Sequence, residues 1–275
     1  MLSPCIILAE KTQKKLKYRI SFKYYKADNG DKTLNARLYF KKNRKFVNVA
    51  NEEVRLYVSA NEEETLLAKI NTNLDGEAIL LIDSDYAIPW DTNQTCEFIA
   101  RFAGNEHAKK AKKNIRIKDV GIGLRFSEKE DENKLSVLIS SISPEKQIIP
   151  AEEILVYAYV DRMYSLLPIG EGFTDEQGEL DISFPKNIPG DSLGNLTVIV
   201  KIEDSDEHGN IEVSKTIKWG IPVDYTEQLF PRSLWTDNAP YWMYLVIIII
   251  LGGAWIHFVL AVYKLFKIKE LDPKK

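Results

Sequence analysis

Cysteine is nearly missing: Cys5 and Cys96 are the only two in 275 residues. There is no disulfide framework, no CxxC and no CxxCH, which excludes covalently attached c-type haem and zinc ribbons. Histidine is almost as scarce, with His107, His208 and His257. No GxSxG elbow occurs, no glycine-rich phosphate loop follows a strand, and neither cysteine stands beside a group that would activate it. Neighbouring carboxylates such as Glu152 and Glu153 are expected to alternate sides of a strand and so to miss a common substrate. No catalytic residue, no cofactor ligand and no metal set is therefore assigned, and the chain is not read as an enzyme. The nearest approach to a metal site is Glu203-Asp-Ser-Asp-Glu-His-Gly209. Oxygen-rich loops suit Ca²⁺, but the spacing is not that of an EF-hand and the corresponding Ala103-Gly104-Asn105 lacks the acids. A solvated turn is the reading adopted.

Long helical periodicity is also absent from Tyr18 to Pro222. In its place stand short alternating apolar runs divided by polar turns. They include Tyr18–Phe22, Ala36–Phe40, Glu53–Val58, Glu77–Ile82, Glu97–Phe102, Leu135–Ile139, Ile154–Val160, Leu180–Phe184, Leu196–Val200 and Glu212–Trp219. Period-two runs at this spacing predict an all-β sandwich. The two halves also match at an offset near 100. Asn51–Tyr57 parallels Ala151–Tyr157, Leu66-Leu67 parallels Leu166-Leu167, and Asp75-Gly76-Glu77 parallels Gln177-Gly178-Glu179. Arg101-Phe102 and Glu106-His107 parallel Lys201-Ile202 and Glu207-His208, placing the first two histidines in equivalent turns. Fixed order at nearly fixed spacing predicts a tandem duplication of one sandwich.

Charge divides the same way. Residues 1–119 hold 22 Lys and Arg against 16 Asp and Glu; residues 120–222 hold 9 against 19. A simple nucleic-acid binder would not carry the acidic half, and no recognition motif accompanies Lys41–Lys45 or Lys109–Lys113, so nucleic acid is not expected as a partner. Both clusters read as solvated loops and turn ends.

Thr174-Asp-Glu-Gln-Gly-Glu179 followed by Phe184-Pro-Lys-Asn-Ile-Pro-Gly-Asp191 resembles carboxypeptidase-regulatory-like or transthyretin-like immunoglobulin folds. In those, a T-D-x-x-G hairpin precedes an inward strand and x-P-G-D opens the next connection. The resemblance implies two tandem Ig-like β-sandwiches in an extracytoplasmic binding or spacing role, and no catalytic residue. The first repeat keeps only Leu74-Asp-Gly76 of this pattern and lacks Pro-Gly-Asp, so a different loop is expected there.

The uncharged run from Tyr241 to Tyr263 supplies the roughly 20 apolar residues that a bilayer core of about 30 Å requires. Tyr241, Trp242, Leu251, Trp255 and Tyr263 mark this span, with aromatic residues near both ends. Lys264, Lys267, Lys269, Lys274 and Lys275 follow, against Arg232 and Asp237 on the other flank, so the positive-inside rule places the tail in the cytoplasm. The expected division is an N-terminal segment at 1–17, sandwiches at 18–119 and 120–222, a membrane-proximal linker at 223–240, the transmembrane helix at 241–263 and a basic tail at 264–275. Leu229, Phe230, Leu234 and Trp235 of the linker are expected to rest on headgroups or a partner. An outward bulk needs an export signal, yet Met1–Ala9 has no basic n-region and too short an apolar core. Either the recorded start lies inside a longer gene, the reading preferred, or the chain is tail-anchored with its bulk in the cytoplasm.

Within the span, Gly252 and Gly253 would admit a close neighbouring helix and His257 would hydrogen-bond to one. Met163, Tyr164, Leu166 and Leu167 are either a core strand with a bulge or, at a loop tip, a protein-contact patch. The expected function is a non-catalytic accessory subunit or scaffold of an inner-membrane or envelope complex, with the bilayer and another membrane or envelope protein as partners. The alternative is a ligand-sensing ectodomain that signals through a partner helix, because the tail is too short for an output domain.

Overall fold

Alternation in sequence becomes alternation in burial. A computed structural model describes residues 15–60, 63–128, 132–142, 147–223 and 240–271. In β1 (Leu16–Lys26) the side chains of Ile20, Phe22 and Tyr24 are buried, as are Leu34, Ala36 and Leu38 of β2 (Lys32–Lys42). β1 and β2 pair antiparallel, and β2 also pairs with the short β3 (Lys45–Asn48) and with β6 (Glu77–Ile82). The facing sheet has the order β5-β4-β7-β9, from β4 (Glu53–Ala60), β5 (Glu63–Asn71), β7 (Thr95–Phe102) and β9 (Ala111–Lys118). β8 (Ala108–Lys109) pairs in parallel with the start of β1. Between the sheets, Leu34, Leu38, Val54, Leu56, Phe98 and Phe102 form the first core. Burying each such side chain contributes about 1.5–3 kcal/mol.

The second repeat runs the same course. β10 (Gly121–Glu128), β11 (Asn133–Ile142), β12 (Ile148–Pro150) and β15 (Glu179–Phe184) make one sheet. β14 (Leu167–Phe173), β13 (Leu155–Val160), β16 (Leu196–Ser205) and β17 (Gly209–Ile217) make the other, in that order. Leu135, Val137, Val156, Val198, Val200 and Ile202 lead its core, and Trp219 closes it edge-on to Phe126 and Phe184. The architecture is thus all-β, two tandem Ig-like sandwiches, followed by one C-terminal apolar helix, α1 (Tyr241–Leu271).

Superposing the hydrogen bonds of the two repeats corrects the sequence alignment. Tyr57 pairs with Ile99 and Tyr159 with Ile199, and a bulge falls between Leu56 and Tyr57 and again between Ala158 and Tyr159. Tyr57 is therefore the counterpart of Tyr159, not of Tyr157, and Leu66 corresponds to Pro168, not to Leu166. The slip is two residues, which leaves every side chain on its original face and so cannot be seen in the alternation. Glu152 and Glu153 do not alternate along a strand; they precede β13 in a turn where Glu153 has φ +57°.

The turns repeat bond for bond. Thr72 Oγ1 donates to the Val49 carbonyl and accepts the Glu52 N–H; Thr174 Oγ1 does the same with Ala151 and Ile154. Asn73 Oδ1 accepts the N–H groups of Asp75 and Glu77, and Asp175 Oδ1 those of Gln177 and Glu179. Gly76 and Gly178 follow at φ +74° and +73°, each with its Cβ direction aimed at a β-strand carbonyl. The difference expected in repeat one falls before the aspartate, where the Trp90 N–H donates to the Ile88 carbonyl while the Gly190 N–H donates to that of Ile221; from the aspartate onward the turns agree. Asp91 Oδ1 accepts from Asn93 and Thr95 just as Asp191 Oδ1 accepts from Leu193 and Asn195, and Gln94 takes the left-handed place of Gly194. The turn depends on the aspartate and on one positive φ, and the intervening glycine is dispensable.

The two repeats meet end to end. Tyr25 and Lys26 pair in parallel with Asn210 and Ile211, so the β13–β17 sheet of repeat two continues into the β1–β2 sheet of repeat one. The Lys118 N–H donates to the Glu207 carbonyl at 2.7 Å, and Lys26 Nζ bridges Asp119 Oδ1 at 2.6 Å and the Val120 carbonyl at 2.9 Å.

Candidate interaction surfaces

The segment 161–166 joins β13 to β14, and the structure divides it. Met163 and Tyr164 stand at its tip, 86% and 94% exposed, whereas Leu166 is half-buried and Leu167 opens β14 opposite Val160. Arg162 Nη1 anchors the loop to the Pro189 carbonyl at 2.5 Å. The neighbouring turn presents Leu193, also exposed, and its Asp191 carboxylate is held below the usual range by the Asn195 N–H groups. Between the two loops lies an open recess of about 550 Å³ lined by Arg162, Tyr164, Asp191 and Thr197. Ile221, half-exposed, bridges to Pro189, and the Val223 N–H donates to the Asp191 carbonyl. This apolar tip thus surrounds the point from which the chain continues toward α1. Leu193 and Ile221 were not singled out in sequence, being isolated apolar residues in polar turns.

Helix α1 is 31 residues long, about 46 Å at 1.5 Å per residue. Tyr241–Lys267 is long and apolar enough to cross a membrane, and its apolar window is not buried against the rest of the chain. The helix does not stop at Tyr263; it runs through Lys264 and Lys267 to Leu271. Tyr241, Trp242, Leu251, Trp255, Tyr263 and His257 are all exposed on it, and a Cβ added at Gly252 or Gly253 would meet nothing within 4 Å. Cys5, the N-terminal segment up to residue 14 and the linker residues Leu229, Phe230, Leu234 and Trp235 lie outside the described residues.

The acidic loop does not converge on one point. Asp204 pairs with Lys23 Nζ at 2.7 Å, which holds its carboxyl below the ordinary range. His208 turns inward, 6% exposed, and donates from Nδ1 to the Lys118 carbonyl at 2.9 Å. Burial lowers its pKa, opposed by that bond. Its counterpart by hydrogen bonding is the buried Ala108, whose N–H is held by Asn105 as that of His208 is held by Ser205. His107 is exposed one residue earlier. Cys96 is buried, and desolvation pushes its thiol well up, away from the reactive thiolate.

No family model matches the chain, and no curated protein matches it. Among solved structures it is similar to a tetra-tandem repeat from the extending region of a large adhesion protein, at 13% identity and a TM-score of 0.28. That match covers 74% of this chain and 48% of the other, so the chain spans about half the length of the adhesion fragment. It is similar also to the FN1–FN3 domains of chicken CNTN1 (9% identity, TM-score 0.29, 74% and 68% covered). A third similar structure is a Parabacteroides merdae β-glucuronidase (15% identity, TM-score 0.26, 75% and 25% covered). Likenesses this distant carry no functional argument.

Proposed function

We propose that this chain is a non-catalytic interaction protein, an accessory subunit or scaffold held in the inner membrane by α1, with both sandwiches extracytoplasmic and the basic end of the helix cytoplasmic. The observation that carries this reading is the apolar surface that the chain leaves unpaired at two places, along α1 and at the Met163–Tyr164 tip. An apolar helix whose span is not buried by the other described residues gains its burial from lipid or from another helix. The exposed tip supplies an aromatic and a methionine, residue types that anchor protein contacts. Lys264 and Lys267 extend the charge bias on one side of the span.

Gentle-detergent purification of the full chain with mass spectrometry of what stays bound tests the reading. A stoichiometric membrane partner is expected. Gly253→Leu, which adds bulk without charge, should release a partner held by the helix; Met163→Ser with Tyr164→Ser should release one held by the tip, with the melting temperature unchanged. Recovery of the chain alone would overturn the subunit reading. Protease added to intact and to permeabilised cells decides the orientation separately.

A further inference from the structure

The outer face of the β5-β4-β7-β9 sheet carries a feature that neither charge counting nor motif reading picked out. Lys69 stands opposite Arg55, Arg55 opposite Arg101, and Arg101 opposite Lys112, one cation on each of four adjacent strands from edge to edge. The cluster Lys109–Lys113 is therefore not merely a solvated loop: its Lys112 is in β9 and completes the row. Like charges directly opposite one another destabilise a sheet. Here they are only partly offset. Glu53 binds Arg55 Nε at 2.7 Å and Glu64 binds Arg101 Nη2 at 2.5 Å, while Lys69 and Lys112 form no ion pair among the described residues. Arg101 lies over the ring of Tyr57, 4.9 Å from its centroid, which together with the Glu64 bond to Nη2 fixes the guanidinium. Arg55, Arg101 and Lys112 border an open recess of about 570 Å³ that also takes in Lys110.

Repeat two provides the comparison within the same molecule. Its equivalent row is Glu171, Tyr157, Lys201 and Glu212, with Lys201 paired to Glu212 at 2.9 Å. The fold therefore has no need of four cations at these positions.

We propose that the row Lys69–Arg55–Arg101–Lys112 binds a linear anionic polysaccharide laid across the strands. Neighbouring strands are about 4.8 Å apart, whereas same-face side chains of an extended acidic peptide are about 6.6 Å apart, so a peptide falls out of step with the row. The guanidinium N–H groups that Glu53 and Glu64 leave unbonded offer donors to carboxylate or phosphate, and the aliphatic stems of the four side chains give a sugar ring an apolar floor. The polysaccharide as natural ligand rests on the outward orientation proposed above. Binding is measured on purified protein, so a failed binding experiment and a reversed topology are separate results.

The full-length chain in phosphatidylcholine nanodiscs is titrated calorimetrically with short polygalacturonate chains, with dextran and with polyglutamate. Binding of polygalacturonate that weakens as salt rises is expected, with none to dextran. Lys69→Gln with Lys112→Gln should lower the affinity about tenfold, the equivalent of losing two exposed charge contacts. That variant also removes repulsion, so its melting temperature should be no lower than that of the parent. Lys41→Gln with Lys42→Gln, the same change of charge on the β2–β3 hairpin, should leave affinity unchanged. Absence of binding at low salt, an equal loss in the hairpin variant, or polyglutamate binding as tight as polygalacturonate would each overturn the proposal.

Discussion

The two sandwiches are one design used twice, and they differ where the backbone does not care. Thr72 and Thr174, Asn73 and Asp175, Asp91 and Asp191, Gly76 and Gly178 make matching bonds in matching turns. What diverges is outward or terminal. One exposed row is four cations in repeat one and Glu-Tyr-Lys-Glu in repeat two. The β4–β5 connection, through Asn61 and Glu62 in sequence, is polar, whereas the equivalent β13–β14 loop exposes Met163 and Tyr164. The buried Ala108 becomes His208. The turns share their chemistry because it satisfies buried backbone groups, whereas exposed positions carry no such constraint.

Substitutions that treat the repeats as equivalent provide the harshest test. Gly178→Ala and Gly76→Ala should each cost about 3 kcal/mol, since both combine positive φ with a Cβ driven onto a carbonyl, 2.6 Å from that of Leu38 in the case of Gly76. Chemical denaturation of each variant checks this, and a large loss in one repeat only would break the equivalence. Next come Thr72→Val and Thr174→Val, each leaving a buried N–H and carbonyl without their partner, at about 1–3 kcal/mol. Similar shifts in the denaturation midpoint are expected from the two.

His208 should separate the repeats by pH. Unfolded, it titrates near 6.5; folded, burial depresses its pKa, so below 6.5 the unfolded state binds more protons. Its contribution is complete above about pH 6.5 and drains away as pH falls toward the folded value. Glu207 and Asp119 nearby favour the charged form and Lys118 opposes it. Depressed carboxylates such as Asp191 and Asp204 act in a lower window, below their ordinary 3.8. His208→Ala, which installs the residue of repeat one, should flatten the melting-temperature profile in the upper of these windows, just below pH 6.5; an unchanged slope would assign it elsewhere. The smallest effect is expected from the row itself. Lys69→Gln or Lys112→Gln should stabilise repeat one by a few tenths of a kcal/mol, about the worth of an exposed like-charge contact, as read from thermal melts.

Most strands were legible, because half-buried strands write their faces into the chain with period two: Glu77–Ile82 is β6 to the residue. The helix was legible for a similar reason, composition over a length that only lipid or a large core can bury. β9 was not, because at a sheet edge its lysines point outward and resemble a loop. The Met163–Leu167 segment was left open, and pairing across the sheet divided it between loop tip and strand.

Sequence alone determined what repeats along one chain: alternation, turn residues, the duplication and the uninterrupted apolar span. Tertiary structure decided what depends on two segments meeting. It placed Lys69, Arg55, Arg101 and Lys112 in one line, although 57 positions separate the first from the last along the chain. It also chose His208 over His107 for burial, because only His208 faces the Lys118 carbonyl where one repeat hands over to the next. Register and juxtaposition follow from hydrogen bonds between distant strands, and a shift of two residues leaves no trace in the pattern of any single strand.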